Sequence, residues 1–189
     1  MKIETGNINS ITKLFVLLFC GVLCLTGCNK DETEPPFASG TTGDLDWTLS
    51  TDGTLTISGK GEMPSYETYI DSWYSGRTTA PWNEYRDNII RVTIENLVTS
   101  IKNAAFYGCS GLTSVTIGNS VTFIGSFAFG NCTGLTEVIN ESATPQDVSE
   151  NVFSYSNISA CTLRVPAASI DAYRASPEWQ NFGKIEAIK

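Results

Sequence analysis

Apolar and polar positions recur along the second half of this chain with a fixed step. Val92-Thr93-Ile94 returns as Val115-Thr116-Ile117, and Ile101 as Ile124. Ala105-Phe106 returns as Ala128-Phe129, Cys109 as Cys132, and Gly111-Leu112 as Gly134-Leu135, every pair 23 residues apart. Within one repeat, Leu112, Val115 and Ile117 alternate with Ser114 and Thr116. Alternation predicts a short strand with the apolar set turned inward. β-Branched side chains suit such a pleated, half-buried surface. Gly118-Asn119 turns the chain, Val121 and Ile124 send a second apolar set inward, and Ala128-Phe129 fills the interior from the far side.

One such unit cannot bury its apolar face alone, so consecutive units must stack. A period between 20 and 29 residues with apolar positions at constant offsets is the mark of a leucine-rich repeat. Four strands follow from the pattern, at Ile89–Ile94, Leu112–Ile117, Leu135–Ile139 and Thr162–Val165, the last after a degenerate unit through Val152-Phe153. So short a stack needs capped ends. Before it, Leu45–Leu49 and Thr54–Ile57 alternate around Asp52-Gly53, a strong hairpin signal. After it, Pro166 stops the last strand. Ala167–Ala175 can form a short helix with Ile170 and Tyr173 on one face, and Trp179 and Phe182 complete a lid. The expected fold is mainly β: a short leucine-rich-repeat solenoid with an N-terminal β-hairpin cap and a short C-terminal helical cap.

The beginning of the chain follows a different pattern. Leu14–Leu25 is an apolar run of 12 residues after Lys2 and Lys13. It is too short to span a bilayer, which takes roughly 20 residues. It fits the apolar region of a signal peptide. The run ends in Leu25-Thr26-Gly27-Cys28, which resembles a bacterial lipobox, and that resemblance implies cleavage before Cys28 and lipidation of its sulfur. Residues 29–40 are polar and contain Pro35-Pro36, as in a flexible tether. Lys30-Asp31-Glu32 resembles the export signal that carries some lipoproteins to the outer face of the outer membrane. The expected divisions are therefore 1–27 signal peptide, 28–40 tether and 41–189 domain, the last divided into 41–87 cap, 88–165 repeats and 166–189 cap.

Charge and composition narrow the chemistry. The chain has 12 basic and 20 acidic side chains; removal of Lys2, Glu4 and Lys13 with the leader would leave 10 and 19. Such a balance argues against a nucleic-acid partner, which needs a basic patch. Histidine is absent. Histidine-based nucleophilic catalysis and histidine-ligated zinc therefore cannot be built from this chain alone. No metal or cofactor is expected.

The domain as a whole resembles the BspA-like leucine-rich-repeat surface proteins. The likeness is carried by Gly43–Leu49, Asp52–Gly59 with Gly61-Glu62-Met63, Ala80-Pro81-Trp82, the block at 105–117, and an ending L-x-V-P with Asp171-Ala172-Tyr173. It implies a secreted or surface-anchored, non-catalytic protein, several relatives being adhesins. This chain has few repeats where many relatives have long arrays.

Candidate sites follow. Cys109 and Cys132 occupy one position in successive units, and stacked strands lie about 4.8 Å apart. A ladder of buried thiols is expected, with a disulfide as the alternative and Cys161 as a lone thiol. Glu62, Glu67, Asp71, Glu84 and Asp87 are interleaved with Tyr66, Tyr69, Trp73, Tyr74, Trp82 and Tyr85. Such a set could flank a sugar, but its plainer reading is aromatics packing a cap with acids in solvent. Tyr69–Thr79 reads as an irregular loop, where binding residues concentrate. The outward strand positions form two columns, Arg91, Ser114, Glu137, Thr162 and Thr93, Thr116, Ile139, Arg164. On four strands this face is about 15 Å long and on the order of 200 Å². The expected function is binding or adhesion by an outer-membrane lipoprotein, touching membrane only through its anchor. The expected ligand contacts are Arg91, Glu137, Arg164, Trp73 and Tyr74. The partner is a surface protein or glycan, and accessory glycan binding through Trp73 and Tyr74 is the alternative.

Overall fold

The computed structural model describes residues 36–70 and 76–189. Cys28 and the leader, Asp71, Trp73 and Tyr74 lie outside the described residues. The described residues belong to the compact unit Pro35–Lys189. It is mainly β, with 34% of this unit in strand and 14% in helix.

The strands run in chain order β1 Ala38–Thr42, β2 Leu45–Leu49, β3 Thr54–Gly59, β4 Gly61–Glu62, β5 Thr68–Ile70, β6 Gly76–Thr78, β7 Arg91–Ile94 and β8 Val98–Ile101. They continue with β9 Ser114–Ile117, β10 Phe123–Ile124, β11 Glu137–Asn140, β12 Asp147–Val148, β13 Thr162–Val165 and β14 Lys184–Ala187. Among the described residues the one α-helix, α1, is Ile170–Ala175.

An eight-stranded sheet has the order β1-β2-β3-β7-β9-β11-β13-β14. β1, β2 and β3 pair antiparallel, and from β3 onward every pairing is parallel. The 23-residue step sets the register from β7 to β11, and β13 follows β11 by 25 residues. Val92 lies opposite Val115, Val115 opposite Val138 and Val138 opposite Leu163, all buried. A second, parallel sheet has the order β12-β10-β8-β4. It turns Ile101 and Ile124, register partners, into the same core.

Aromatic rings fill the interior. Trp82, Phe106, Phe129 and Phe153 stack face on face, with centroids 5.5, 5.3 and 5.7 Å apart. Phe153 then meets Trp179 and Phe182 edge-on. Hydroxyls tie the units together outside the core. Thr113 donates to the Ile90 carbonyl at 3.0 Å and Thr136 to that of Thr113 at 3.0 Å. Gly118 is required because a Cβ there would lie 2.8 Å from the Glu95 backbone of the preceding unit.

The Asp52-Gly53 turn joins β2 to β3 with Gly53 at φ 79°, a conformation that favours glycine. Ser50 and the backbone N–H of Thr54, at 3.1 Å, both donate to the Asp52 carboxylate. Tyr173, Trp179 and Phe182 are buried, and Ile170 packs partly buried against the core.

Three features differ from the sequence reading. The sheet has six parallel strands, β3, β7, β9, β11, β13 and β14, where the repeat pattern marks four. β3 precedes β7 by 37 residues and β14 follows β13 by 22, so neither keeps the 23-residue step. Ala38–Gly40, read as tether, belong to β1 and pair with Trp47–Leu49. Within Tyr69–Thr79, read as an irregular loop, β5 and β6 pair as an antiparallel hairpin.

Candidate binding surface

The outer face of the large sheet carries every side chain that the strand alternation turns away from the core. Its central column runs Ser39, Thr48, Thr56, Thr93, Thr116, Ile139, Arg164, Glu186. A second runs Thr54, Arg91, Ser114, Glu137, Thr162, Lys184. Both predicted columns are present, and each extends beyond its four expected members at both ends. With eight strands at about 4.8 Å spacing, the face is about 34 Å long and on the order of 450 Å². That is roughly twice the area expected from four strands, and about half of a standard interface side of roughly 800 Å².

The two ends of this face differ. Towards β2, β3, β7 and β9 it is mostly hydroxyls, with Arg91 among them. Thr48, Thr56, Thr93 and Thr116 make no side-chain hydrogen bond among the described residues. Towards β11, β13 and β14 it is an ion group. Arg164 reaches Glu137 at 2.6 Å and Glu186 at 2.6 Å, and Glu186 meets Lys184 at 2.5 Å. The hydrogen bond from Lys184, with Arg164 close by, holds the Glu186 carboxyl below its usual range. The bond to Glu137 raises the Arg164 guanidinium above its usual value.

These pairings revise how the charged candidates can act. Arg164 is only 19% exposed and held by two carboxylates, so it and Glu137 are not free outward groups. Arg91 is exposed and bound to Asp52 at 2.5 Å. Trp73 and Tyr74 lie outside the described residues. Glu186 and Lys184 were missed because nothing in Lys184–Ala187 marks it as the next strand.

Within the carboxylate-and-aromatic group at 62–87, Trp82 and Tyr66 are core groups and Glu62 is paired. Trp82 is fully buried, with its indole N–H donating to the Ala105 carbonyl at 2.8 Å. Tyr66 is buried and bonded to Thr42 at 2.6 Å, and burial pushes its hydroxyl up to about 12. Glu62 faces out and pairs with Lys102 at 2.9 Å.

Cys109, Cys132 and Cys161 are all free thiols and all buried. Burial pushes Cys109 up to about 12 and Cys132 well above its ordinary value. The Cys132 thiol donates to the Phe106 carbonyl at 3.2 Å and the Cys161 thiol to that of Leu135 at 2.8 Å. They are core groups. No group of three or more potential metal ligands occurs among the described residues.

Comparison with known families gives a match over residues 84–175 to the BspA-type leucine-rich repeat region, in six copies. Those residues carry the 23-residue step and the parallel strands β7, β9, β11 and β13. The repeat region belongs to the BspA-type leucine-rich-repeat family. The BspA-type match suggests a protein-interaction role, since leucine-rich repeats are generally non-catalytic binding scaffolds. Among solved structures, this chain is similar to a leucine-rich repeat protein from Eubacterium ventriosum, at 24% identity and TM-score 0.46, over 80% of this chain and 45% of that one. It is similar to one from Bacteroides capillosus at 24% identity and TM-score 0.39, over 67% of this chain and 97% of that one. A leucine rich cell surface protein from Faecalibacterium prausnitzii matches at 20% identity and TM-score 0.31, over 82% of this chain and 51% of that one. The chain thus spans about half the length of the first and third of these. No functionally curated protein matches it.

Proposed function

We propose that this chain is a non-catalytic, lipid-anchored surface protein that uses its BspA-type repeats for adhesion. The domain is a short solenoid, closed by the β1–β3 strands at one end and by α1 with Trp179 and Phe182 at the other. The carrying observation is the outer face of the large sheet, with one outward column across eight strands and a second across six. Thr48, Thr56, Thr93 and Thr116 make no side-chain hydrogen bond among the described residues, and the ion group of Arg164, Glu137, Glu186 and Lys184 sits towards the other end. A face of about half the standard interface area binds weakly alone. Many anchored copies would supply the strength by avidity. The anchor is read from Leu25-Thr26-Gly27-Cys28, and outer-membrane exposure from Lys30-Asp31-Glu32.

Two measurements test this reading. A fatty-acid probe should label the chain in cells and fail to label Cys28→Ala; label retained would remove the anchor. Arg91→Ala should leave the melting curve close to the parent, since its ion pair with Asp52 lies exposed at the surface. Cells displaying this variant should adhere less to immobilised surface proteins, most clearly at low copy number. Undiminished adhesion by the stable variant would place binding elsewhere.

A further inference from the structure

A groove of about 330 Å³ opens beside the outer face where β7, β9 and β11 end. It is lined by Thr93, Thr116, Glu95, Asn96, Leu97 and Glu141, with Ile94 beneath. Its volume lies at the lower end of small-ligand sites, about 300–1,000 Å³. We propose that this groove binds a neutral saccharide, a ligand class distinct from the protein partner proposed above.

The available groups select that class. The backbone is already committed: Glu95 N–H bonds to Ile57, Gly118 N–H to Ile94 and Glu141 N–H to Ile117. An extended peptide therefore cannot add here by strand pairing, and recognition falls to side chains. Thr93 and Thr116 are register partners with hydroxyls free among the described residues, and each hydroxyl both donates and accepts. The Asn96 Oδ1 accepts from the Asn119 backbone N–H at 2.9 Å, which orients the amide and leaves its NH₂ as donor. Glu95 and Glu141 are exposed acceptors with no ion pair among the described residues. Leu97 is 60% exposed beside them. Sugar hydroxyls donate and accept, and a sugar ring offers a C–H face, so such a ligand can use every one of these groups. No basic residue lines the groove, and the chain carries a net charge of −8, which disfavours acidic polysaccharides and phosphates. A cationic ligand would find only exposed carboxylates, whose pairs are worth about 0–1 kcal/mol, and would leave the hydroxyls and the amide unused.

Titration calorimetry on the purified full chain tests the assignment with hexasaccharides of glucose, mannose and galactose. Hexagalacturonate and hexalysine serve as charged controls. At least one neutral hexamer should bind, with affinity unchanged between about 0.15 and about 1 M salt, because no charge pair is made. Thr93→Val with Thr116→Val keeps the branched shape and removes both hydroxyls. It should weaken binding about tenfold or more while the melting curve stays near the parent. Asn96→Asp, which replaces the donor amide with an acceptor, should weaken it separately. The inference is overturned if no neutral hexamer binds or if the folded variants bind as well as the parent. It is also overturned if hexalysine binds more tightly than every sugar and is released by salt. Adhesion to protein-coated surfaces reports on the other proposal and can fail or hold independently.

Discussion

Asn140 and Gln146 clasp each other through two reciprocal amide hydrogen bonds, Nδ2 to Oε1 and Nε2 to Oδ1, each 2.8 Å. Asn140 stands opposite Ile117 in β9, which stands opposite Ile94 in β7, so a buried amide follows two isoleucines in one column. The Asn140 Oδ1 also accepts from the Ser142 backbone N–H at 3.2 Å, which ties the clasp to the turn after β11. Gln146→Leu should cost about 1–3 kcal/mol, because it leaves a buried amide half-satisfied. Adding Asn140→Leu should recover part of that loss. Urea melts of the two singles and the double measure the coupling; singles as stable as the parent would mean the clasp contributes nothing.

The aromatic stack makes a second prediction. Phe129 has a ring on each side, Phe106 at 5.3 Å and Phe153 at 5.7 Å. Phe129→Ala should destabilise by about 3–5 kcal/mol. In a short stack where each unit rests on its neighbours, that loss should appear as one cooperative transition at lower denaturant. A melt coincident with the parent would refute the packing.

Acid sensitivity is expected at the β2–β3 turn. Hydrogen bonds from Ser50 first and Thr54 next, with Arg91 beside them, lower Asp52 from 3.8 to about 2. A carboxyl depressed on folding contributes stability that is fully present above its unfolded value. That contribution is lost as pH falls from 3.8 through about 2. The melting temperature of Asp52→Asn should therefore fall less over this window than that of the parent. Parallel pH profiles would show that the turn does not hold the charged form.

The three core thiols should resist chemistry in the folded state. Burial raises Cys109, Cys132 and Cys161 above their ordinary values, and only thiolates alkylate readily. Peptide mapping after iodoacetamide at mildly alkaline pH should find all three unmodified in native protein and all modified in guanidinium. Native labelling of Cys132 would show an open core.

Much of this molecule is legible from residue order alone. The 23-residue step already pairs Val92 with Val115 and Phe106 with Phe129, because identical apolar side chains at a constant interval can be buried only by parallel stacking. Asp52-Gly53 specifies its turn locally, since the left-handed backbone there needs glycine. Tyr173 and Trp179 reveal a lid because large apolar groups beyond the last repeat need a surface to cover. Other features depend on where distant segments meet. β1 and β14 join the sheet through backbone hydrogen bonds, which any side chains permit, so Ala38–Thr42 and Lys184–Ala187 carry no periodic signal. Together with β2 and β3 they double the outer face from four strands to eight, and β14 brings Glu186 to Arg164, turning an expected free cation into a paired one. The Asn140–Gln146 clasp likewise exists only in the folded chain. A buried amide is stable only when another amide arrives to satisfy it, and tertiary packing decides that arrival.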